Sequence, residues 1–341
     1  MGDRNLSLQN QTSHIINGSI PVNNFTDFED DRIVGNKDNF YDLIMPIISS
    51  LGIVGNIVSF VVLFQLSKSS SFYLYLAFLA LSDMASLVFG GIFQWMRIVG
   101  FFKLSRSGSL FFCSVDFSCI LIFMQLSSWI TVAVTIDRYI AVCHPFHVNQ
   151  YCTRKRALIY IGVTFLIIAA LNLPIICLKW DDENSSCVMP EFANVYCFKY
   201  STYIEMFVYI LIPVLLICIF NSLIARGLIL SANKRRSLTS GNEYNSCSTP
   251  IKNDSTKKTI TTLFAVTAFY ISAILPLLVY FIQEMVNGVE NTYLNLIHLP
   301  IVAETCTLLN HSMNLLLYGF TGQGFREKFA SMLCFQRFIR K

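Results

Sequence analysis

The chain has 341 residues (38.7 kDa), of which 54% are hydrophobic and only 13% charged, with a mean hydropathy of +0.55. A soluble domain carries about 25% charged residues, so these proportions exclude a cytosolic enzyme and a disordered protein. The net charge of +4 gives no case for nucleic-acid binding, and the chain is expected to lie largely in lipid.

Residues 1–41 read as an extracellular tail. They hold four N-x-S/T sequons, at Asn5, Asn10, Asn17 and Asn24, sites that are glycosylated only on the secretory side. Met1–Asn10 lacks the apolar core of a signal peptide, so the first span is expected to act as an uncleaved anchor. Seven apolar stretches follow, at about Leu43–Leu66, Phe72–Met96, Leu110–Ile136, Ala157–Leu178, Tyr200–Ile224, Thr259–Gln283 and Leu294–Phe320. Each can cross a hydrocarbon core of about 30 Å. Segments in lipid must satisfy their own backbone groups, so residues 42–321 are expected to form an all-α bundle of seven transmembrane helices. Strand alternation and a repeat relating the two halves are both missing from the pattern, which speaks against a barrel and a transporter. With the N-terminus outside, 17 of the 25 Lys and Arg residues fall in inner segments, and acids gather before the first span and at Asp181-Asp182-Glu183. Basic excess marks the cytoplasmic side, which fits a multi-pass plasma-membrane protein with an extracellular N-terminus.

Of the 11 cysteines, only Cys113, Cys187 and Cys197 fall on the oxidising side. A bridge from Cys113 to Cys187 would pin the loop before span five across the bundle; Cys197 is the rival partner. The others read as small core residues.

Ionisable groups within a span are costly and usually functional. Here they are Asp83, Asp116, Glu205, Glu304, His298 and His311. Asp83 lies 11 residues into its span, about 16 Å deep. Ser127 falls at a comparable depth, and Asn310 and Asn314 share one face of span seven. These four could enclose a polar pocket for water or Na⁺, or simply a hydrogen-bond network that fixes packing. The two histidines have no metal-ligand spacing partners and read as pocket and packing residues. No catalytic constellation or cofactor motif is present, so an enzyme is not expected.

At the inner end of span three the chain reads Asp137-Arg138-Tyr139, 25 residues after Cys113. With this motif in this place, the chain resembles the rhodopsin-like (class A) G-protein-coupled receptors from about Asp42 to Cys334. Gly55-Asn56 is similar to the first-span motif of that family. Leu79-Ala80-Leu81-Ser82-Asp83 is similar to the second-span motif, whose Asp binds sodium in the family. The resemblance implies that Arg138, with Asp137 and Tyr139, engages a heterotrimeric G protein, and that Pro145-Phe146 docks against it. Pro213 and Pro276 match the fifth- and sixth-span prolines, and Asn314-Leu315-Leu316-Leu317-Tyr318 resembles NPxxY. The departures are Leu315 for its proline, Ile274 for the sixth-span Trp, Phe165 for a fourth-span Trp and Asn221 for a fifth-span Tyr. They bear on how activation proceeds and leave the fold expectation intact.

Within the family, a retinal-binding lysine is missing from span seven, where Leu308 stands, and Ile120 stands where amine receptors carry an Asp. Short stretches around Cys187-Val188-Met189-Pro190 and Leu309–Tyr318 resemble invertebrate FMRFamide-type neuropeptide receptors. Asp116, Glu205 and Glu304 fall by depth in the outer half, with Phe93, Trp95, Phe117, Leu277 and Phe281 as walls. That arrangement suits a cationic, RFamide-like peptide. The alternatives are a class A receptor for a lipid or other small ligand, and a channel or transporter. The basic stretch Arg226–Lys258 holds Ser and Thr residues suited to receptor kinases and arrestin. In 322–341, Phe325, Phe329 and Leu333 recur at helical spacing on an interfacial helix. Cys334 at its end is a palmitoylation candidate or a plain cysteine.

Overall fold

A computed structural model of the protein describes residues 43–98, 115–174, 179–181, 186–188, 200–239, 251–287 and 299–339. The four sequons, Cys113, Cys197 and His298 lie outside the described residues.

The helices follow the hydropathy pattern. Helix α1 is Met45–Leu66; α2 is Ser71–Leu87, continued by a π-helical turn at Val88–Phe93 and by Gln94–Ile98; α3 is Phe117–Cys143. Helix α4 is Arg154–Leu171; α5 is Ile212–Thr239, preceded by a π-helical stretch at Glu205–Leu211; α6 is Ile251–Asn287. Helix α7 runs in two pieces, Leu299–Ser312 and Asn314–Thr321, and α8 is Gln323–Ile339. Between α4 and α5, strands β1 (Lys179–Asp181) and β2 (Ser186–Val188) pair antiparallel with Trp180 opposite Cys187.

Among the described residues, five segments are long and apolar enough by themselves to cross a membrane: Met45–Leu66, Ser71–Met96, Phe117–Cys143, Tyr200–Ser231 and Phe264–Val286. The other two expected spans fall short for local reasons. Helix α4 opens on Arg154-Lys155-Arg156 and ends at Leu171, seven residues before the expected Leu178. There Asn172 turns its Nδ2 back to the Ile168 carbonyl (2.9 Å) and also to Gln125 Oε1 on α3 (3.0 Å), a side-chain competitor for the helical ladder. Helix α7 breaks at Met313 although Leu315 has replaced the proline. The carbonyl of His311, which Leu315 would engage in an unbroken helix, instead accepts a bond from Asn56 Nδ2 on α1 at 2.8 Å. Outward faces of the described helices carry many apolar side chains: Leu51, Val54, Leu166 and Leu215 are all more than half exposed. Water would not tolerate such a belt, but lipid does.

Close approach of α1, α2 and α7 depends on glycine. A Cβ on Gly52 would lie 2.4 Å from Ser312 Oγ and 2.7 Å from Leu87 Cδ1, and one on Gly91 would lie 2.2 Å from Ser49 Oγ. Small residues at such contacts let helix backbones meet where no hydrophobic driving force acts between them. Helix α8 is tied on by Phe325, 3% exposed, whose ring sits 5.9 Å from that of Tyr318. Arg326 Nη1 donates to the last carbonyls of α7, Gly319 O at 3.1 Å and Phe320 O at 2.8 Å, satisfying groups a helix end leaves open.

The outer part of α5 shows how sequence dictates an inter-helix tie. Ile212 N reaches back five residues to Phe207 O. Pro213 has no N–H to continue the pattern, so neither Val208 O nor Tyr209 O can be bonded from it. Trp129 Nε1 on α3 donates to Val208 O (3.0 Å), and Tyr270 Oη on α6 donates to Tyr209 O (3.3 Å). Tyr270 Oη also bonds Ser128 Oγ at 2.8 Å, so one buried hydroxyl joins α3, α5 and α6. Tyr270→Phe is expected to cost about 1–3 kcal/mol, read as a lowered unfolding midpoint of the detergent-solubilised protein. In a Pro213→Ala background, where the restored N–H can engage a freed carbonyl, the same change should cost measurably less. Equal costs in both backgrounds would show that the proline does not create the tie.

Candidate functional site

The described residues place functional side chains at three depths. At mid-depth, Asp83 of α2 is 2% exposed. Its Oδ1 accepts from Ser127 Oγ of α3 at 2.6 Å and meets His311 Nδ1 of α7 at 2.6 Å. Its Oδ2 accepts from Asn314 Nδ2, just past the α7 break. Beside them is a cavity of about 10 Å³, lined by Asp83, Ser127, Asn310, Asn314, Thr131 and Tyr270 among others, room for about one water. The four residues expected to meet there do so, with Asn310 on the cavity wall. His311, read from the sequence as a pocket or packing residue, joins the cluster as well. Its spacing three residues before Asn314, on the same face, was the available signal.

At the end that carries α8, Arg138 Nη2 bonds Asp137 Oδ2 at 2.5 Å, and the guanidinium lies 4.2 Å from the centre of the Phe72 ring. Asp137 is fixed in turn by Ser71 Oγ, which donates to its Oδ1 at 2.6 Å. A charge held by a charge-assisted bond and a ring face has a defined position. Tyr139 points elsewhere, its ring tilted against that of Phe220 and its hydroxyl bonded to His144 Nε2 at 3.0 Å. The turn Pro145–His147 presents Phe146 at 96% exposure. Cys152 packs below it with its Sγ 3.7 Å from Asp137 O; burial, with help from the Asp137 carboxylate, pushes its thiol up to about 12. Such a thiol is inert at neutral pH. Tyr318 of α7 is 1% exposed, and its hydroxyl finds no hydrogen-bond partner among the described residues. It lines a second cavity of about 10 Å³ with Phe72, Leu79, Val134 and Val266. Asn221 bonds Thr267 Oγ1 on α6 at 3.1 Å.

At the opposite end, three expected acids have different surroundings. Glu304 Oε1 accepts from Gln94 Nε2 of α2 at 2.8 Å. Asp116, at the start of α3, is fully buried. Glu205 is half-buried and lies close enough to Glu284 of α6 for their charges to interact. Glu284 is 8% exposed and was missed, because the sixth span was expected to end at Gln283 while the helix runs to Asn287. Glu205 and Glu284 each stand eight residues outside the proline of their helix, about 12 Å from it. Every lysine and arginine whose side chain is described lies at the α8 end: Lys68, Arg138, Arg154, Lys155, Arg156, Arg226, Arg326 and Lys328.

The apolar walls are partly as expected. Phe281 is buried and Leu277 packs with it, in a cluster that also contains Met206, Ile274, Ala303 and Met124; the last four were not anticipated. Ile120 is buried, and a Cβ on Gly90 would lie 3.4 Å from it. Phe93 meets Phe89 edge-on, and Phe117 is half-buried at the top of α3. Trp95 is a correction: it packs against Met45, Leu87 and Leu308 between α1, α2 and α7, because the π-helical turn before it rotates the end of α2 away from the direction that regular spacing implies. Cys187 is carried by β2 and Cys334 by α8.

The family model described as "7 transmembrane receptor (rhodopsin family)" matches residues 55–318. Among characterised relatives, the FMRFamide receptor of Drosophila melanogaster is 27% identical over 321 residues, covering 87% of this chain and 54% of its own length. The thyrotropin-releasing hormone receptor of Ovis aries is 26% identical over 332 residues, with 88% and 79% covered. Neuropeptide receptor 15 of Caenorhabditis elegans is 30% identical over 135 residues, with 38% and 37% covered. The chain thus spans about half the length of the FMRFamide receptor. A family match across most of the chain agrees with the helix order, the Asp83 cluster and the placement of Arg138. The chain belongs to the rhodopsin family of seven-transmembrane receptors.

Proposed function

We propose that this receptor binds a cationic peptide from outside the cell and promotes nucleotide exchange on a heterotrimeric G protein, with receptor kinases and arrestin acting on its cytoplasmic segments. The observation that carries the ligand reading is the set of carboxyls at the end opposite α8: Glu205, Glu284 and Glu304, above the apolar cluster of Met206, Leu277 and Phe281. Like-charged carboxylates in a half-buried site repel one another and are stabilised by a cation that reaches them. An arginine beside an aromatic ring at an amidated C-terminus supplies both the charge and the apolar face. Relatives whose names include FMRFamide, thyrotropin-releasing hormone and neuropeptide receptors support a peptide. The signalling half rests on Arg138, held at the inner rim by Asp137 and Phe72, with Phe146 exposed beside it. No observation favours a lipid ligand or a channel over this reading.

In cells carrying a promiscuous G protein, screening amidated Arg-Phe peptides should yield an agonist. Against it, Glu205→Gln, Glu284→Gln or Glu304→Gln should lower potency at least tenfold, about 1.4 kcal/mol. A citrulline-substituted peptide should be insensitive to the same changes. Unchanged potency in all three variants, or an anionic or neutral agonist, would refute the cationic reading.

Arg138→Ala should leave peptide affinity within about threefold while lowering G-protein activation by at least about tenfold, since Arg138 lies at the far end of α3 from the acids. Parallel loss of both would make Arg138 structural.

An epitope tag placed before Asp3 should stain on intact cells, and glycosidase should increase the mobility of the protein on a gel. Staining only after permeabilisation would invert the orientation.

A further inference from the structure

The Asp83 cluster invites a test of whether sodium fits it. Sodium is a hard cation and takes oxygen ligands with lone pairs directed at it. In this chain the carboxylate oxygens of Asp83 face donors on every side. Ser127 Oγ donates to Oδ1, Asn314 Nδ2 donates to Oδ2, and the imidazole nitrogen of His311 sits 2.6 Å from Oδ1. A contact that short between Nδ1 and Oδ1 requires a hydrogen between them, so a ligand oxygen is already covered and a nitrogen stands where an oxygen ligand would be needed.

The imidazole has little freedom to leave. His311 is 2% exposed, and its own carbonyl is held by Asn56 Nδ2 at 2.8 Å. The next residue, Ser312, is locked by its Oγ to Leu308 O at 2.6 Å and packs where Gly52 lets α1 approach. The other ring nitrogen, Nε2, has no hydrogen-bond partner among the described residues, so the ring is oriented through Nδ1 alone. The adjoining space of about 10 Å³ admits about one water, which is too little for a cation that keeps part of its hydration shell.

We infer that His311 takes the place of the cation at Asp83 and closes this mid-depth cluster to sodium. His311 is the specificity-determining residue, and an oxygen-bearing side chain of smaller size there would open the site. The inference is independent of the ligand proposed above, since it concerns α2, α3 and α7 at mid-depth and is read without a peptide.

The test uses the purified full-length receptor in detergent and follows its thermal unfolding in sodium chloride against choline chloride and potassium chloride at equal ionic strength. A bound cation raises the midpoint as its concentration rises. The wild-type midpoint should be the same in all three salts, and His311→Ser should acquire a sodium-specific rise of several degrees that Asp83→Asn then removes. A sodium-specific rise in the wild type, abolished by Asp83→Asn, would overturn the inference. So would a well-folded His311→Ser protein indifferent to sodium. Should that variant not fold, sodium-23 line broadening decides on the wild type alone. Broadening equal to that of Asp83→Asn upholds the inference, and a larger effect in the wild type overturns it.

Discussion

A peptide carbonyl inside a hydrocarbon layer must be bonded by protein, and a recurring tie between the described helices is a side chain that meets that requirement. Helices satisfy their own ladders, so a tie to the backbone forms where a carbonyl is released or has a lone pair to share. Pro213 and the π-helical stretch before it release Val208 O and Tyr209 O, which Trp129 and Tyr270 take up. Asn56 takes His311 O, and Ser82 Oγ of α2 takes Phe123 O of α3 at 2.8 Å. Tyr160 Oη of α4 reaches Trp129 O at 3.4 Å. Four of these five bonds come from residues that hydropathy would class as apolar, aromatic or merely small. The bundle is therefore held by directional bonds as well as by packing, and these bonds fix which helix faces meet.

How much of this could be read from the residues follows from what the reading used. Span positions were legible because apolar length is a linear property, and the meeting of Asp83, Ser127 and Asn314 was legible because depth grows by about 1.5 Å per residue. What broke the reading were departures from regular helix. The turn at Val88–Phe93 sends Trp95 into the α1–α2–α7 contact, and no periodic template contains a π-helical turn. Glu284 was lost to a boundary set at Gln283, four residues before the helix ends. His311 was judged by the wrong criterion, the spacing of metal ligands, when the relevant quantity was its reach to a carboxylate on another helix. The break at Met313 was unexpected because Leu315 removes its usual cause. Asn56, 255 residues away in the chain, supplies another.

Charge is distributed along the bundle as sharply as polarity is across it. The lysines and arginines whose side chains are described lie at one end, and Glu205, Glu284 and Glu304 at the other. Asp83 lies between, covered by donors. Three carboxylates have different partners: a guanidinium for Asp137, an amide for Glu304, an imidazole for Asp83. Glu205 and Glu284 have each other, which is no stabilisation at all while both are ionised.

The hydroxyl of Tyr270 also has a mechanical meaning. It pins α6 to α3 and α5 at one level, and from there the helix continues 19 residues to Ile251. At about 1.5 Å per residue that is an arm of roughly 28 Å. A rigid rod pivoting there by about 10° carries its tip about 5 Å, close to one helical turn. The same tilt moves Pro276, six residues to the other side, by only about 1.5 Å. A small displacement around Pro276 thus corresponds, by lever length alone, to one about three times larger at the α8 end of α6.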